Sequence, residues 1–182
     1  MCFLLLSDRK YAKLFLVIQM ELPKRKRTRL KEYDYSQSGY YFITICTKDK
    51  QKILCDIVGG GALDAPRVNL TAVGRIVEKY IISTNNIPEL TVLKYVIMPN
   101  HIHLLLKLED SGGTSKAPSP TNSIISHSVS TLKRFAGKEI GENVFQRSFH
   151  DHIIRGEKDY LEIWEYIDTN PAKWKEDCFY QE

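Results

Sequence analysis

The apolar run at residues 40–46 (YYFITIC) consists of aromatic and β-branched residues and therefore predicts a buried strand. Further along, apolar residues recur at helical spacing between residues 69 and 82, which predicts an amphipathic helix. The residues on its apolar face are Val73, Ile76, Val77, Tyr80 and Ile81.

Two strand-like segments, Leu90–Met98 and His101–Leu108, are separated only by Pro99 and Asn100. This turn signal predicts an antiparallel pair. We expect helices at 124–135 and from Glu157 to about Thr169, with an extended segment at 145–155. The order β-α-β-β-α-(β)-α predicts an α+β fold, a ferredoxin-like sandwich with an antiparallel sheet and helices on one face.

The length of 182 residues, with 43% hydrophobic residues, suits one ordinary domain. We expect an N-terminal extension and mobile basic arm at 1–27, a domain at 28–176 and a short tail at 177–182. Residues 111–122 are rich in Ser, Gly, Pro and Thr and predict a flexible linker inside the domain.

The formal charge is only +4, but six basic residues are crowded into eight positions. They are Lys24, Arg25, Lys26, Arg27, Arg29 and Lys31. Such a run either contacts phosphates and attracts a polyanion or is simply a solvated surface.

Four cysteines without a CxxC pair favour a reducing compartment over a disulfide scaffold. The apolar stretches near the N-terminus are far shorter than the roughly 20 residues of a membrane span. We therefore expect a cytoplasmic protein with no membrane partner.

His101 and His103 are two residues apart on a predicted strand, so their side chains point to the same face. Two converging imidazoles are typical of a metal site, although a pair of histidines at a sheet surface has the same spacing. Leu105 stands where a histidine-triad hydrolase needs a third histidine, which argues against that chemistry. His150 and His152 form a second such pair, for which phosphate contact or surface exposure is an equal explanation.

Tyr166 and Asn170 are four residues apart on the last predicted helix and therefore share a face. Asn170 can offer a neutral carbonyl oxygen to a metal while Tyr166 presents its phenol beside it. Pro171 disfavours helical geometry at Asn170, so we expect some distortion there. Taken alone, Tyr166 is one of ten tyrosines, and a core or surface role is the favoured interpretation.

Several ordered motifs over residues 28–174 resemble the single-tyrosine HUH transposases, in particular the REP-associated tyrosine transposases. The motifs are residues 95–105 (YVIMPNHIHLL), residues 145–155 (FQRSFHDHIIR), Tyr166-Ile167, Asn170-Pro171, and the opening motifs at 29–35 and 41–46. The resemblance implies that Tyr166 is the nucleophile and that His101, His103 and Asn170 hold a divalent metal, Mg²⁺ or Mn²⁺. His150 and Asp168 depart from the family's frequent residues, but neither departure removes a catalytic group.

The resemblance further implies cleavage and rejoining of single-stranded, hairpin-forming DNA through a covalent 5′-phosphotyrosine, by a monomer or a homodimer. We expect phosphate contacts from the basic arm and from Lys133, Arg134, Arg147, His152 and Arg155. The alternatives are a non-catalytic DNA-binding regulator and a metal-dependent phosphoesterase that does not use Tyr166.

Overall fold

The computed structural model describes residues 37–59, 66–109 and 123–180. The strands are β1 Gly39–Cys46, β2 Cys55–Val58, β3 Arg67–Leu70, β4 Leu90–Met98, β5 His101–Leu108 and β6 His150–Ile154. The helices are α1 Ala72–Ser83, α2 Ile124–Ile140 and α3 Glu157–Thr169, with short 3₁₀ turns at Lys48–Lys50, Thr84–Asn86 and Trp174–Glu176. The basic arm and the predicted linker lie outside these ranges.

Four antiparallel strands form the main sheet in the order β4-β5-β1-β6. When the four strands are numbered 1 to 4 in chain order and the sheet is followed from β6 to β4, the order is 4-1-3-2, as in a ferredoxin-like fold. The predicted α+β class and antiparallel sheet are therefore confirmed. The register pairs Ile43 with Leu104 and Thr44 with His103. β1 and β5 are therefore the two central strands, and they meet at the predicted histidine pair.

The helices cover both faces of the sheet, which corrects the expectation that they share one face. α1 and α2 pack on the face formed by Ile43, Ile102 and Leu104. α3 packs on the opposite face through Ile163 and Ile167. The physical reason is that β5 is almost entirely buried, so its two alternating sets of side chains both need a covering layer.

Several elements differ from those predicted. β2 and β3 form a small separate hairpin that the sequence pattern did not predict. α1 begins at Ala72 because the hydroxyl of Thr71 accepts a hydrogen bond from the Gly74 amide and caps the helix. α2 continues to Ile140 and ends at Gly141, whose φ of 94° is left-handed.

The N-terminus of α1 is tied to the turn that precedes the histidine pair. The amide of Thr71 donates to the carbonyl of Leu54, and the amide of Leu54 donates to the carbonyl of Pro99, each at 3.0 Å. Gly74 packs against this connection so closely that an added Cβ would lie 1.9 Å from the Leu54 carbonyl oxygen. The helix therefore helps to fix where β5 begins.

Within the described ranges, none of the helices combines the length and apolar character that crossing a membrane would require.

Candidate active site

His101 and His103 project from β5 onto the face covered by α3, as the alternation of the strand predicts. Both side chains are buried, and their Nε2 atoms lie 3.0 Å apart. The two imidazoles therefore converge on one point beneath α3.

The outer nitrogen of each imidazole is held by a neighbouring polar group. Nδ1 of His103 lies 2.8 Å from the Thr44 hydroxyl, and Nδ1 of His101 lies 2.8 Å from Oδ1 of Asn100. The Asn100 amide nitrogen donates to the carbonyl of Phe179, so its oxygen must face the ring of His101. His101 then carries its proton on Nδ1, which leaves a lone pair on Nε2.

Burial keeps both imidazoles neutral. It lowers the pKa of His101 to about 4, although the nearby Asp177 carboxylate acts in the opposite direction. Burial, together with the neighbouring His101, holds the pKa of His103 well below its usual value. Neutral imidazole is the form that binds a metal ion.

Tyr166 on α3 reaches the same point from above the sheet. Its hydroxyl lies 3.4 Å from Nε2 of His103 and donates a hydrogen bond to Oδ2 of Asp177 at 3.1 Å. Its ring packs edge-on against His103 and Phe42, while 38% of the residue remains exposed. A phenol is thus placed beside the histidine pair and is still open to solvent.

The pKa of the Tyr166 phenol lies above its ordinary value, chiefly because of burial and also because of the Asp177 carboxylate. The phenol is therefore protonated at neutral pH. Its use as a nucleophile requires a neighbouring positive charge that stabilises the developing negative charge on the oxygen.

Asn170 is buried at the end of α3, on the same face as Tyr166. Its amide nitrogen donates to Oδ2 of Asp177 at 2.9 Å, whereas its buried Oδ1 accepts no hydrogen bond from the described residues. The distortion expected from Pro171 is absent: Asn170 has helical φ and ψ of −56° and −43°, and its amide bonds to the carbonyl of Tyr166. The chain continues in turns after α3, which overrides the local preference of a residue before proline.

Asp177 is the site residue that the sequence reasoning missed, since it was assigned to a tail. Its side chain is 1% exposed, and its Oδ2 lies 3.9 Å from Nε2 of His101. Phe179 packs its ring 4.7 Å from that of His101. The only sequence signal was the aromatic content of the segment, which contains Trp174, Phe179 and Tyr180 and so favours packing over a solvated tail.

The donor groups fit a divalent ion. Ligand atoms of His101, His103 and Asp177 all lie within 4.8 Å of one another, and the buried side-chain oxygen of Asn170 accepts no hydrogen bond from any residue that the structure describes. The separation of 3.0 Å between the two Nε2 atoms is short enough for both to bind one ion. Imidazole and oxygen donors together suit Mn²⁺ and related ions.

Three basic residues predicted to contact DNA line a cavity of about 460 Å³ beside α2. They are Lys133, Arg134 and Arg147. The ammonium of Lys133 donates to the carbonyls of Gln146 and Ser148, at 2.9 and 2.8 Å. Burial lowers the pKa of Lys133 to about 8. Lys133 therefore organises the loop that carries Arg147.

The other predicted DNA contacts lie where β6 meets α3. Nε2 of His152 lies 2.9 Å from a carboxylate oxygen of Asp159, which also accepts from the amide of Arg155. The structure does not bring His150 and His152 into the metal cluster found among the described residues. The basic arm, residues 24–31, falls outside the ranges that the structure describes.

Comparisons with known proteins support a single family. The family model described as "Transposase IS200 like" matches residues 35–170. An uncharacterized protein of Haemophilus influenzae is 34% identical over 86% of this chain and 93% of its own length. A second protein of that organism, described as a candidate REP-associated tyrosine transposase, is 26% identical over 77% of this chain and 74% of its own length.

The fold is also that of a solved structure, a REP-associated tyrosine transposase bound to a REP hairpin. The TM-score is 0.57 at 22% sequence identity, and the match covers 80% of this chain and 73% of that chain. The two proteins therefore share the arrangement of the sheet and helices.

Proposed function

Because the chain belongs to the IS200-like transposase family and resembles its REP-associated tyrosine transposases, we propose that it cleaves and rejoins single-stranded DNA with Tyr166 as nucleophile. The observation that carries this proposal is the position of the Tyr166 hydroxyl, 3.4 Å from Nε2 of His103 at the mouth of a buried polar site. Among the tyrosines that the structure describes, this one combines that position with a side chain that is partly open to solvent.

His101, His103 and Asn170 hold a divalent ion, Mg²⁺ or Mn²⁺. Support for this assignment comes from the converging Nε2 atoms and from the buried Asn170 oxygen that accepts no hydrogen bond from the described residues. When bound, the ion polarises the DNA phosphate and offsets the negative charge that develops during attack. Thr44 and Asn100 orient the two imidazoles from behind.

The reaction is a transesterification at phosphorus. The phenolic oxygen of Tyr166 forms a bond to the phosphorus while the bond from phosphorus to the 3′-oxygen breaks. The phenol loses one proton and the departing 3′-oxygen gains one. The phosphate at the 5′ end of the DNA remains bonded to Tyr166 as a phosphotyrosine. Attack by a 3′-hydroxyl reverses the step and rejoins the strand without ATP.

The substrate we propose is hairpin-forming single-stranded DNA, since the structural neighbour is bound to a REP hairpin. Arg134 and Arg147 at the cavity beside α2, and Arg155 between β6 and α3, supply exposed positive charge for phosphates. Tyr166 contacts the histidine pair of its own chain, which supports activity by a monomer. In a homodimer, each active site could likewise use the tyrosine of the chain that supplies its histidines.

A gel assay with labelled hairpin DNA and Mn²⁺ tests the proposal. Wild-type protein should form a covalent adduct that survives denaturation, and Tyr166→Phe should form none. The matched control is Tyr160→Phe on the same helix, which should keep wild-type adduct yield because Tyr160 packs against Tyr40, away from the histidines.

His101→Ala should also abolish the adduct while leaving hairpin binding largely intact. Cleavage that survives Tyr166→Phe would instead indicate a phosphoesterase that uses water. DNA that is shifted but never cut, at any metal concentration, would indicate a non-catalytic regulator.

A further inference from the structure

We infer that Asp177 is a further ligand of the divalent ion in the DNA-free protein, contributing a carboxylate oxygen from the segment after α3. The inference rests on the proposed function, in which His101 and His103 hold that ion. Oδ2 of Asp177 lies 3.9 Å from Nε2 of His101, and its ligand atom belongs to the same cluster of 4.8 Å span.

The burial of Asp177 argues that a positive charge belongs beside it. Its side chain is 1% exposed, and no lysine or arginine of the described ranges forms an ion pair with it. Among the described basic side chains, only His101 lies within 4.0 Å of it, and the 3.9 Å from Nε2 to Oδ2 is too long for a hydrogen bond. Buried carboxylates are ordinarily paired with a cation or coordinated to a metal, because an isolated buried charge is costly.

The carboxylate is also oriented rather than loosely packed. Oδ1 accepts a hydrogen bond from the amide of Phe179, and Oδ2 accepts from Tyr166 and from the amide nitrogen of Asn170. Each carboxylate oxygen has two lone-pair sites, and the two oxygens can be used differently. Oδ2 is therefore the oxygen that faces Tyr166 and Asn170, the two residues proposed to act in the site from the end of α3.

The segment that carries Asp177 is anchored on both sides of it. Before it, the 3₁₀ turn Trp174–Glu176 places the Trp174 ring 5.9 Å from that of His101. After it, the carbonyl of Phe179 accepts from Asn100, the residue that orients His101. The position of Asp177 is therefore coupled to the histidine pair through Asn100, as expected for groups that share one ion.

An anionic ligand changes the character of the site. His101, His103 and Asn170 are all neutral, so on their own they attract a divalent ion only through lone pairs. One carboxylate adds a full negative charge in a water-poor pocket, where electrostatic attraction is strong. Removing that charge while keeping the shape should weaken metal binding without unfolding the site.

Isothermal titration of the full chain with Mn²⁺, without DNA, tests the inference. Asp177→Asn should raise the Kd for Mn²⁺ roughly ten- to a hundredfold. Glu176→Gln, which removes an exposed carboxylate from the adjacent position, should leave the Kd unchanged. His101→Ala should abolish binding.

A second measurement needs no substitution. Wild-type protein labelled with ¹³C at the aspartate carboxylates and loaded with Mn²⁺ should show a carbon hyperfine coupling in electron–nuclear double resonance. Asp177→Asn protein that binds Mn²⁺ as tightly as the wild type, or a wild type without ¹³C coupling, would overturn the inference. Loss of Mn²⁺ binding in His101→Ala would still support the metal site of the proposed function. Undiminished Mn²⁺ binding in His101→Ala would contradict both.

Discussion

The chemistry of single residues at this site depends on which groups burial keeps neutral. His101 and His103 are buried against α3 and are held neutral at physiological pH. Thr44 and Asn100 hold their outer nitrogens, which leaves Nε2 of each ring directed inward. The proposed binding of a divalent cation would therefore not require these imidazoles to lose a charge-carrying proton first.

The low pKa of His101 predicts how the stability of the metal-free protein depends on pH. The unfolded chain binds a proton near the ordinary value of 6.5, whereas the native protein does so only near 4. Stability contributed by neutral His101 is thus complete above pH 6.5 and is lost as the pH falls towards 4, at about 1.4 kcal/mol per pH unit at most.

Urea denaturation in the presence of a chelator, at pH 7.5 and at pH 5, measures this effect. The free energy of unfolding should fall more steeply for the wild type than for His101→Gln, which has no titratable group at that position. Equal pH slopes for the two proteins would show that His101 is not held neutral by the fold.

At the scale of elements, α1 is distant from the chemistry but fixes the strand that carries it. Gly74 lies against the carbonyl of Leu54, and Leu54 bonds to the Pro99 carbonyl just before His101. The glycine is required here for close approach rather than for a special backbone conformation.

Gly74→Ala should therefore destabilise the protein by about 3 kcal/mol or more, since the clash is with a backbone atom and cannot be relieved by a side-chain rotation. Gly156→Ser, at a position with no atom within 4 Å of an added Cβ, should change stability little. Chemical denaturation of both variants checks the prediction. A Gly74→Ala protein as stable as the wild type would show that α1 does not pack against Leu54 in this way.

Most of the elements could be predicted because their patterns are local. The strands at 40–46 and around Pro99-Asn100 and the helix Glu157–Thr169 follow from periodicity and turn residues, and the structure confirms them. The hairpin of β2 and β3 could not be predicted, since each strand is four residues long and half of the residues in the two strands are exposed. Periodicity does not indicate which layer covers a buried face, so the sequence predicts helices on one face whereas α3 covers the other.

The site residues that could be predicted are those spaced at the period of a strand or a helix. His101 and His103 are adjacent on a strand, and Tyr166 and Asn170 are adjacent on a helix, so each pair could be recognised. That the two pairs meet was implied only by the family resemblance. Asp177 could not be recognised, because it reaches the histidines through a turn whose path is set by tertiary packing of Trp174 and Phe179.

At the scale of the whole molecule, the larger apolar core and the proposed active site lie on opposite faces of the sheet. The face covered by α1 and α2 holds the larger apolar core, and the face covered by α3 holds the histidine pair, the tyrosine and the segment with Asp177. The IS200-like family match spans residues 35–170, so it includes both pairs but ends before Asp177. Variation after residue 170 can therefore alter the site without altering the family's shared motifs.

The central claim is that the Tyr166 oxygen becomes covalently bonded to DNA. Its most direct test is tandem mass spectrometry of the protein after reaction with single-stranded hairpin DNA and Mn²⁺, followed by nuclease and protease digestion. We predict that a nucleotide remnant is attached through phosphate to the peptide containing Tyr166, and to that tyrosine within it. Attachment to another residue, or cleaved DNA with an unmodified Tyr166 throughout the reaction, would contradict the claim.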